Sequence, residues 1–282
     1  MDTNNTISRE DYYAASASGE RVSFHGLLDF VECPRDYHLR TTGAIPQRPE
    51  TREMFLGTAA HMLILQGEFD YMAAYTVADG PVNPKTGRPF GTETKAYADW
   101  LATQTGPILT TAEDKQMIRA MADAIRANDI RTGGPSYAAQ LLARGRAETI
   151  LRFYWCGLPC QGMVDWIIDD FGGNGPAIVD LKTCADLSNF EREARQRRYI
   201  HQLAFYRAAY EAVEAADADC YIIAVEKTER PRVGVYAIPA ADLDEAESWC
   251  VAELDRLRTC RENGIWPTGY EGLRELSLHY NP

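Results

Sequence analysis

Positive charge is in short supply in this 282-residue chain: 29 lysines and arginines face 41 aspartates and glutamates, for a formal charge of −12. Binding nucleic acid through the field of the whole molecule is thereby excluded, because phosphate contacts need local positive charge. A basic groove on an acidic body is not excluded, since net charge does not set the local field. No apolar run approaches the ~20 residues that span a bilayer. The first residues, "MDTNNTISREDYYAASASGE", have none of the charged-then-apolar layout of a secretory leader. The expectation is a cytoplasmic protein with no membrane partner. Seven cysteines, Cys33, Cys156, Cys160, Cys184, Cys220, Cys250 and Cys260, are odd in number and contain no C-x-x-C pair, which argues for reduced thiols rather than a disulfide framework. There is no internal repeat and no low-complexity segment. What remains is ordinary for a globular protein, with 45% hydrophobic and 25% charged residues, and long enough to bury a sizeable core.

The chain divides into a polar, flexible N-terminal segment over 1–22 and a single domain over 23–282. "SFHGLLDFVECPRDYHLR" has Leu27, Leu28, Val31 and Tyr37 at near-helical spacing, with Pro34 bending or ending the helix. "TREMFLGTAAHMLILQGEF" predicts a second helix, with Gly57 and His61 on one face. Residues 79–92, rich in Gly and Pro, make a loop. Helical stretches follow over 93–104 and 111–130, then a short helix ended by Gly145. The pattern then changes to three strands, "AETILRFYWC", "LPCQGMVDWIID" and "PAIVDLKT". A long helical region over 187–214, two further strands ("ADCYIIAVEKT", "PRVGVYAIP") and a last helix over 240–263 complete an α/β core with a helical N-terminal half.

The chemistry concentrates in "GMVDWIIDDFGGNGPAIVDLKT", residues 162–183. Strand side chains alternate, so Asp180 and Lys182 point one way and Leu181 the other. If the Asp165 strand pairs with this one, Asp165 reaches the same edge. Two carboxylates and a backbone carbonyl form a hard, all-oxygen cluster that suits Mg²⁺ or Mn²⁺ better than zinc. A divalent ion there would activate water against a phosphodiester, with Lys182 placed to orient the water or to stabilise negative charge. An isolated D-x-K is more often a surface salt bridge. Here it ends an apolar strand, with a second acid 15 residues upstream on a neighbouring strand.

"GMVDW…IVDLKT" followed by "YIHQLAFYRAAY" resembles the PD-(D/E)XK nuclease superfamily. More narrowly, "FLGTAAHMLIL", the G-x-x-D strand, "DLKT", "HQLAFY" and "IIAVEK", in this order from about Ser23 to Trp266, resemble the exodeoxyribonuclease VIII (RecE-type) nuclease domain, a relative of phage lambda exonuclease. The resemblance implies a mixed central β-sheet flanked by helices. It implies a Mg²⁺-dependent exonuclease, with Mn²⁺ substituting and two ions per site, that degrades one strand of duplex DNA ends 5′ to 3′. The 3′ tail left behind would pass to a single-strand annealing protein in DNA recombination. It also implies a closed homo-oligomeric ring, trimer or tetramer. Residue by residue, Asp165 and Asp180 match the metal-binding acids, and the Leu181 carbonyl completes the first site. Lys182 matches the lysine of the motif and His61 a ligand of the second metal. Gln202 and Tyr206, at i and i+4 on one helix face, match a Q-x-x-x-Y motif. Glu148 is a candidate further acid. Asp180 stands where the superfamily's name allows Asp or Glu, and its shorter arm leaves metal preference open.

Arg35, Arg40 and Arg52, and the run Arg192, Arg195, Arg197 and Arg198, are the candidate DNA contacts, chosen by charge and proximity. Rival readings are a PD-(D/E)XK endonuclease, a catalytically silent DNA-binding or assembly module, and an iron–sulfur variant. For the last, Cys33 would be one ligand, but the C-terminal group of three cysteines is missing.

Overall fold

The computed structural model describes residues 7–104 and 108–273. The N-terminal half is helical: α1 (Arg9–Ala17), α2 (Phe24–Glu32), α3 (Pro34–Thr41), α4 (Arg52–His61) and α5 (Glu68–Ala74), with one wide π-helical turn, Met62–Gln66, between the last two. Short strand β1 (Tyr75–Val77), α6 (Lys95–Leu101), short strand β2 (Ile108–Thr110), α7 (Ala112–Arg126) and α8 (Tyr137–Leu141) follow. The second half holds β3 (Arg146–Trp155), β4 (Leu158–Ile168), β5 (Ala177–Cys184), α9 (Phe190–Gln196), α10 (Tyr199–Glu214), β6 (Asp219–Glu226), β7 (Val233–Ala237) and α11 (Ala240–Asn263).

The starts of these helices are written locally. Ser8, Ser23 and Thr51 each accept a backbone N–H three residues on, and Thr111 with Asp114 forms a reciprocal capping box at α7. Pro34 opens α3 at its first position, where its missing N–H costs nothing, so the expected interruption is a boundary between two helices.

Strands β3 to β7 form one sheet in that order, antiparallel throughout except for the parallel pair β5–β6. The α9–α10 crossover between those two makes parallel pairing possible. Helices cover both faces. On one face Ile178 and Ile222 pack with Leu27, Leu203, Phe205, Leu243 and Leu254, from α2, α10 and α11. On the other, Val179, Leu181, Ile223 and Val225 pack with Ala59, Leu63, Ile118 and Met121, from α4, the π-helical turn and α7. The alternation of β5 therefore buries Leu181 on the α4 side and turns Asp180 and Lys182 towards α10. Among the described residues no helix is long and apolar enough to cross a membrane.

One expectation needs correction, and two features were not anticipated. The segment over 1–22 is not loose throughout: residues 9–17 are helical, because Tyr12 and Ala15 bury one face and Gln161 Nε2 donates to the Tyr12 carbonyl at 2.7 Å. Residues 1–6 lie outside the described residues. The helical region expected over 187–214 is there, but it is broken where Arg198 takes a left-handed backbone (φ 58°) with its guanidinium 4.4 Å from the Trp249 ring; no glycine or proline announces the break. The parallel pair β1–β2 was not anticipated, three residues being too few to show a period.

Gly57 is not a close-contact glycine. It sits inside α4, and an added Cβ would meet only Thr183 Oγ1, at the ordinary distance of 3.5 Å. Since glycine costs a helix interior about 0.5–1 kcal/mol relative to alanine, Gly57→Ala should raise stability by about that amount in denaturant unfolding. A loss of stability would show that the space is needed.

Candidate active site

The site forms where β4 leaves β5. The two strands pair from Ile168↔Ala177 to Trp166↔Val179 and then stop. One step further the same register sets Asp165 opposite Asp180. In place of a ladder bond, the Asp165 carboxylate accepts the Leu181 N–H at 2.8 Å. On its other side β4 pairs with β3 through a two-residue turn, Cys156-Gly157, both with positive φ (50° and 77°), as a tight right-twisting hairpin demands. Counting back from Trp155↔Leu158, the register sets Glu148 opposite Asp165. Glu148 itself adopts φ 48° and interrupts the ladder there. Such a backbone costs a non-glycine residue about 1–3 kcal/mol and clusters at functional sites. Glu148, Asp165 and Asp180 thus lie in one row across three adjacent strands.

His61 joins the row from α4, at the point where the helix widens into its π-helical turn, a distortion common at functional sites. Its Nδ1 is 3.6 Å from Asp165 Oδ2, and ligand atoms of His61, Glu148 and Asp165 all lie within 4.8 Å of one another. Beside them, Lys182 Nζ lies 2.6 Å from Asp180 Oδ2 and donates to Gln202 Oε1 at 2.9 Å. Gln202 Nε2 donates to the Tyr206 hydroxyl at 2.8 Å. The Lys182 ammonium also sits 4.7 Å from the centre of the Tyr199 ring. Gln202 and Tyr206 are buried on one face of α10, as their spacing requires.

The electrostatics describe acids short of positive charge. Burial, with Asp165 adding to it and Lys182 opposing, pushes Asp180 up to about 6. Burial and the charge of Asp165 push Glu148 up to about 7, against Arg9. Asp165 is also raised by burial. Burial and the nearby Lys182 pull His61 down to about 4, which leaves its ring neutral and able to coordinate. Burial works to lower Lys182, but the charges of Asp180 and Asp165 outweigh it and hold the ammonium protonated. Both Asp180 oxygens are buried without a well-formed hydrogen bond. Buried carboxylate oxygens with spare acceptor capacity, raised acids and a neutral imidazole together fit a divalent cation.

The sequence-derived residues His61, Glu148, Asp165, Asp180, Leu181, Lys182, Gln202 and Tyr206 therefore converge. The arginines do not join them. Arg52 pairs with the buried Asp114, Arg35 with Asp36, Arg195 with Glu191 and Arg197 with Glu193. Arg192 is exposed on α9, Arg40 lies at the end of α3, and Arg198 stacks on Trp249. Among the described residues the arginine that reaches the acids is Arg9, whose Nη2 lies 3.1 Å from Glu148 Oε2. Sequence reasoning missed it; the helix signal Ser8-x-x-Asp11 followed by Tyr12 and Ala15 was there to be read. Tyr199 was missed too, its contact with Lys182 following from the left-handed Arg198 beside it.

A carboxyl whose folded pKa lies above its unfolded value favours the fold while protonated. Its contribution is full below the unfolded pKa of about 4 and is lost as pH rises through about 6 for Asp180 and about 7 for Glu148. A cation bound to the ionised acids opposes that loss. The rise in Tm caused by MgCl₂ should therefore be larger at about pH 8 than at about pH 5.5, and Asp165→Asn should remove most of it. Equal shifts at both pH values, by calorimetry, would count against the assignment.

No curated protein matches the chain by sequence. Among solved structures, a "putative exonuclease" from Eubacterium rectale has the same fold, with a TM-score of 0.62 at 14% identity, covering 97% of this chain and 96% of that one. A family model described as a PDDEXK-like domain of unknown function (DUF3799) matches residues 23–275. With that span, most of the chain, the protein belongs to the DUF3799 family and shares the PD-(D/E)XK nuclease fold.

Proposed function

We propose that this protein is a divalent-metal-dependent nuclease that hydrolyses duplex DNA from its ends, 5′ to 3′, leaving 3′ single-stranded tails. The observation that carries the reading is the row Glu148–Asp165–Asp180 with Lys182 fixed beside it. An acid row with an adjacent lysine is what phosphodiester hydrolysis needs and what a binding module has no use for. The exonuclease polarity and the RecE-type branch rest on the order of motifs from Ser23 to Trp266, and the similar Eubacterium rectale protein, itself called a "putative exonuclease", agrees with an exonuclease.

In this reading His61, Glu148, Asp165, Asp180 and the Leu181 carbonyl hold the ions, Mg²⁺ by preference with Mn²⁺ substituting, two to a site. When bound, they supply Lewis acidity towards a phosphoryl oxygen and lower the pKa of water. Lys182 stays protonated, so its task is to donate to, and stabilise charge on, the phosphate or the attacking oxygen, and not to accept a proton. Asp180 and the Gln202 amide hold that ammonium from two sides. The ammonium, which can only donate, fixes the Gln202 amide with its oxygen inward, and the Tyr206 hydroxyl accepts from the amide nitrogen. Tyr199 covers the ammonium and limits its access to water.

A ring of three or four copies, with the acidic charge outward and arginines towards the DNA, accounts for DNA binding by a chain of charge −12. A single-strand annealing protein that receives the tail belongs to the same proposal, as do a role in recombination and a cytoplasmic location. Light scattering at micromolar concentration should show a discrete oligomer, and a strict monomer would remove the ring.

The decisive assay is digestion of one linear duplex, labelled separately at its 5′ and 3′ ends, beside its covalently closed circle, with and without Mg²⁺. Early release of 5′ label from the linear form alone is expected. Asp165→Ala and Asp180→Ala should abolish it, and Lys182→Ala should lower kcat by about 10²–10³, the usual cost of one charge-stabilising donor. Cutting of the circle would make the protein an endonuclease; no cutting of either form would leave a binding module.

A further inference from the structure

Arg9 is the cation that the nuclease reading leaves without a task. It is the first residue of α1, a helix already fixed by the burial of Tyr12 and by Gln161 Nε2, which donates to the Tyr12 carbonyl at 2.7 Å and to Ser16 Oγ at 2.8 Å. Arg9 is therefore not needed to pin the helix. Its Nη2 lies 3.1 Å from Glu148 Oε2, on a residue that also meets Asp165, His61 and the Gln66 side chain, and the Arg9 guanidinium also bonds the Tyr13 hydroxyl. Its charge acts on Glu148, Asp165 and His61. Its Nε is buried and donates to nothing, and an orphaned donor on a charged group is costly unless a ligand takes it. A guanidinium carries five N–H donors in a planar fork that matches phosphate oxygens.

We propose that Arg9 is a positioning residue that neutralises Glu148 in the ion-free site, yields Glu148 to the divalent ion, and then gives its fork to a phosphate of the DNA. This rests on the metal-dependent nuclease reading. Ion and guanidinium compete for one carboxylate, so the empty cluster is held together without the ion and is not left as three repelling acids. Once Glu148 is engaged by the ion, the guanidinium is free at the same place where the substrate's negative charge arrives. Loading of the ion and grip on the DNA are thereby coupled through one side chain.

The test is Mn²⁺ binding followed by electron paramagnetic resonance at about pH 8, where Glu148 is largely ionised, in the absence of DNA. Removal of a competing charge at contact distance should make Arg9→Ala bind Mn²⁺ about fivefold or more tightly than the wild type. In Ca²⁺, the same variant should bind an end-bearing duplex more weakly, with the log–log salt slope reduced by about 0.9, the share of one phosphate contact. Arg9→Lys keeps the charge without the fork; it should leave Mn²⁺ affinity near wild type while still weakening DNA binding. Should Arg9→Ala lower Tm, Arg9→Gln, which keeps the arm and an amide donor for Glu148, takes its place in both measurements. Unchanged or weaker Mn²⁺ binding in the variant, with the wild type binding normally, would overturn the role of Arg9 alone. A wild type that binds no Mn²⁺, matched by Asp165→Asn, would instead remove the metal-dependent reading on which it stands.

Discussion

Three carboxylates in one row across the middle of a sheet is the constraint to which the rest of the structure answers. Like charges directly opposite on neighbouring strands destabilise a sheet, and here they are also withdrawn from water. The rise of Asp180 from 3.8 to about 6 corresponds to about 3 kcal/mol at 1.36 kcal/mol per unit. That is a large share of the roughly 5–15 kcal/mol by which domains are stable. A chain keeps such a row only if something of opposite charge belongs there. Lys182 answers Asp180, Arg9 answers Glu148, and Asp165, between them, has the Leu181 N–H and a neutral imidazole. Among the described residues the acid at the centre has no cation in direct contact and shares the fields of Lys182 and Arg9 with its two neighbours.

The scaffold makes this arrangement possible by letting the sheet come apart at one place. Had β4 continued to pair with β5 past Trp166, the Leu181 N–H would have gone to a backbone carbonyl and Asp165 would have had no donor. Parting there frees backbone polar groups that must find partners, and the Asp165 side chain serves one of them. The cost is contained because Leu181, between the two charged residues, remains buried against α4 and α7 on the far face. One apolar side chain in the middle of D-x-K anchors a strand whose neighbours on either side are both ionised.

How much of this was legible follows from the range over which each signal acts. The strands "PAIVDLKT" and "ADCYIIAVEK" and the helix over 240–263 declare themselves by composition and period, and the structure places them there. Asp165, Asp180 and Lys182 could be singled out because charge ending an apolar strand, with a second acid upstream, fell into the order of motifs of the PD-(D/E)XK resemblance. Glu148 was nameable only as a neighbour, although its partner could have been counted: a two-residue turn at Cys156-Gly157 fixes every pair of the hairpin. Arg9 was hidden by the polarity of the segment around it, which hides a nine-residue helix whose only buried side chains are Tyr12 and Ala15. The arginine runs show the converse limit. Charge density in sequence says nothing about which acids lie opposite, and Arg52, Arg195 and Arg197 turn out to have partners.

The row also explains why an aspartate serves at position 180. Its short arm holds the carboxylate against β5, where Lys182, two residues on and on the same face, meets it at 2.6 Å. Reach is supplied instead from the edge of the sheet. Glu148 on β3 has the extra methylene, and its left-handed backbone turns it into the group that closes to within 4.8 Å with His61 and Asp165. The labour is thus divided between two acids flanking a third: the short one keeps the lysine protonated and aimed, and the long one, strained into place, brings a further oxygen to Asp165. Exchanging the two arm lengths would disturb both tasks while leaving the count of charges unchanged, so the geometry of the row, and not its charge alone, is what the sequence at 148, 165 and 180 encodes.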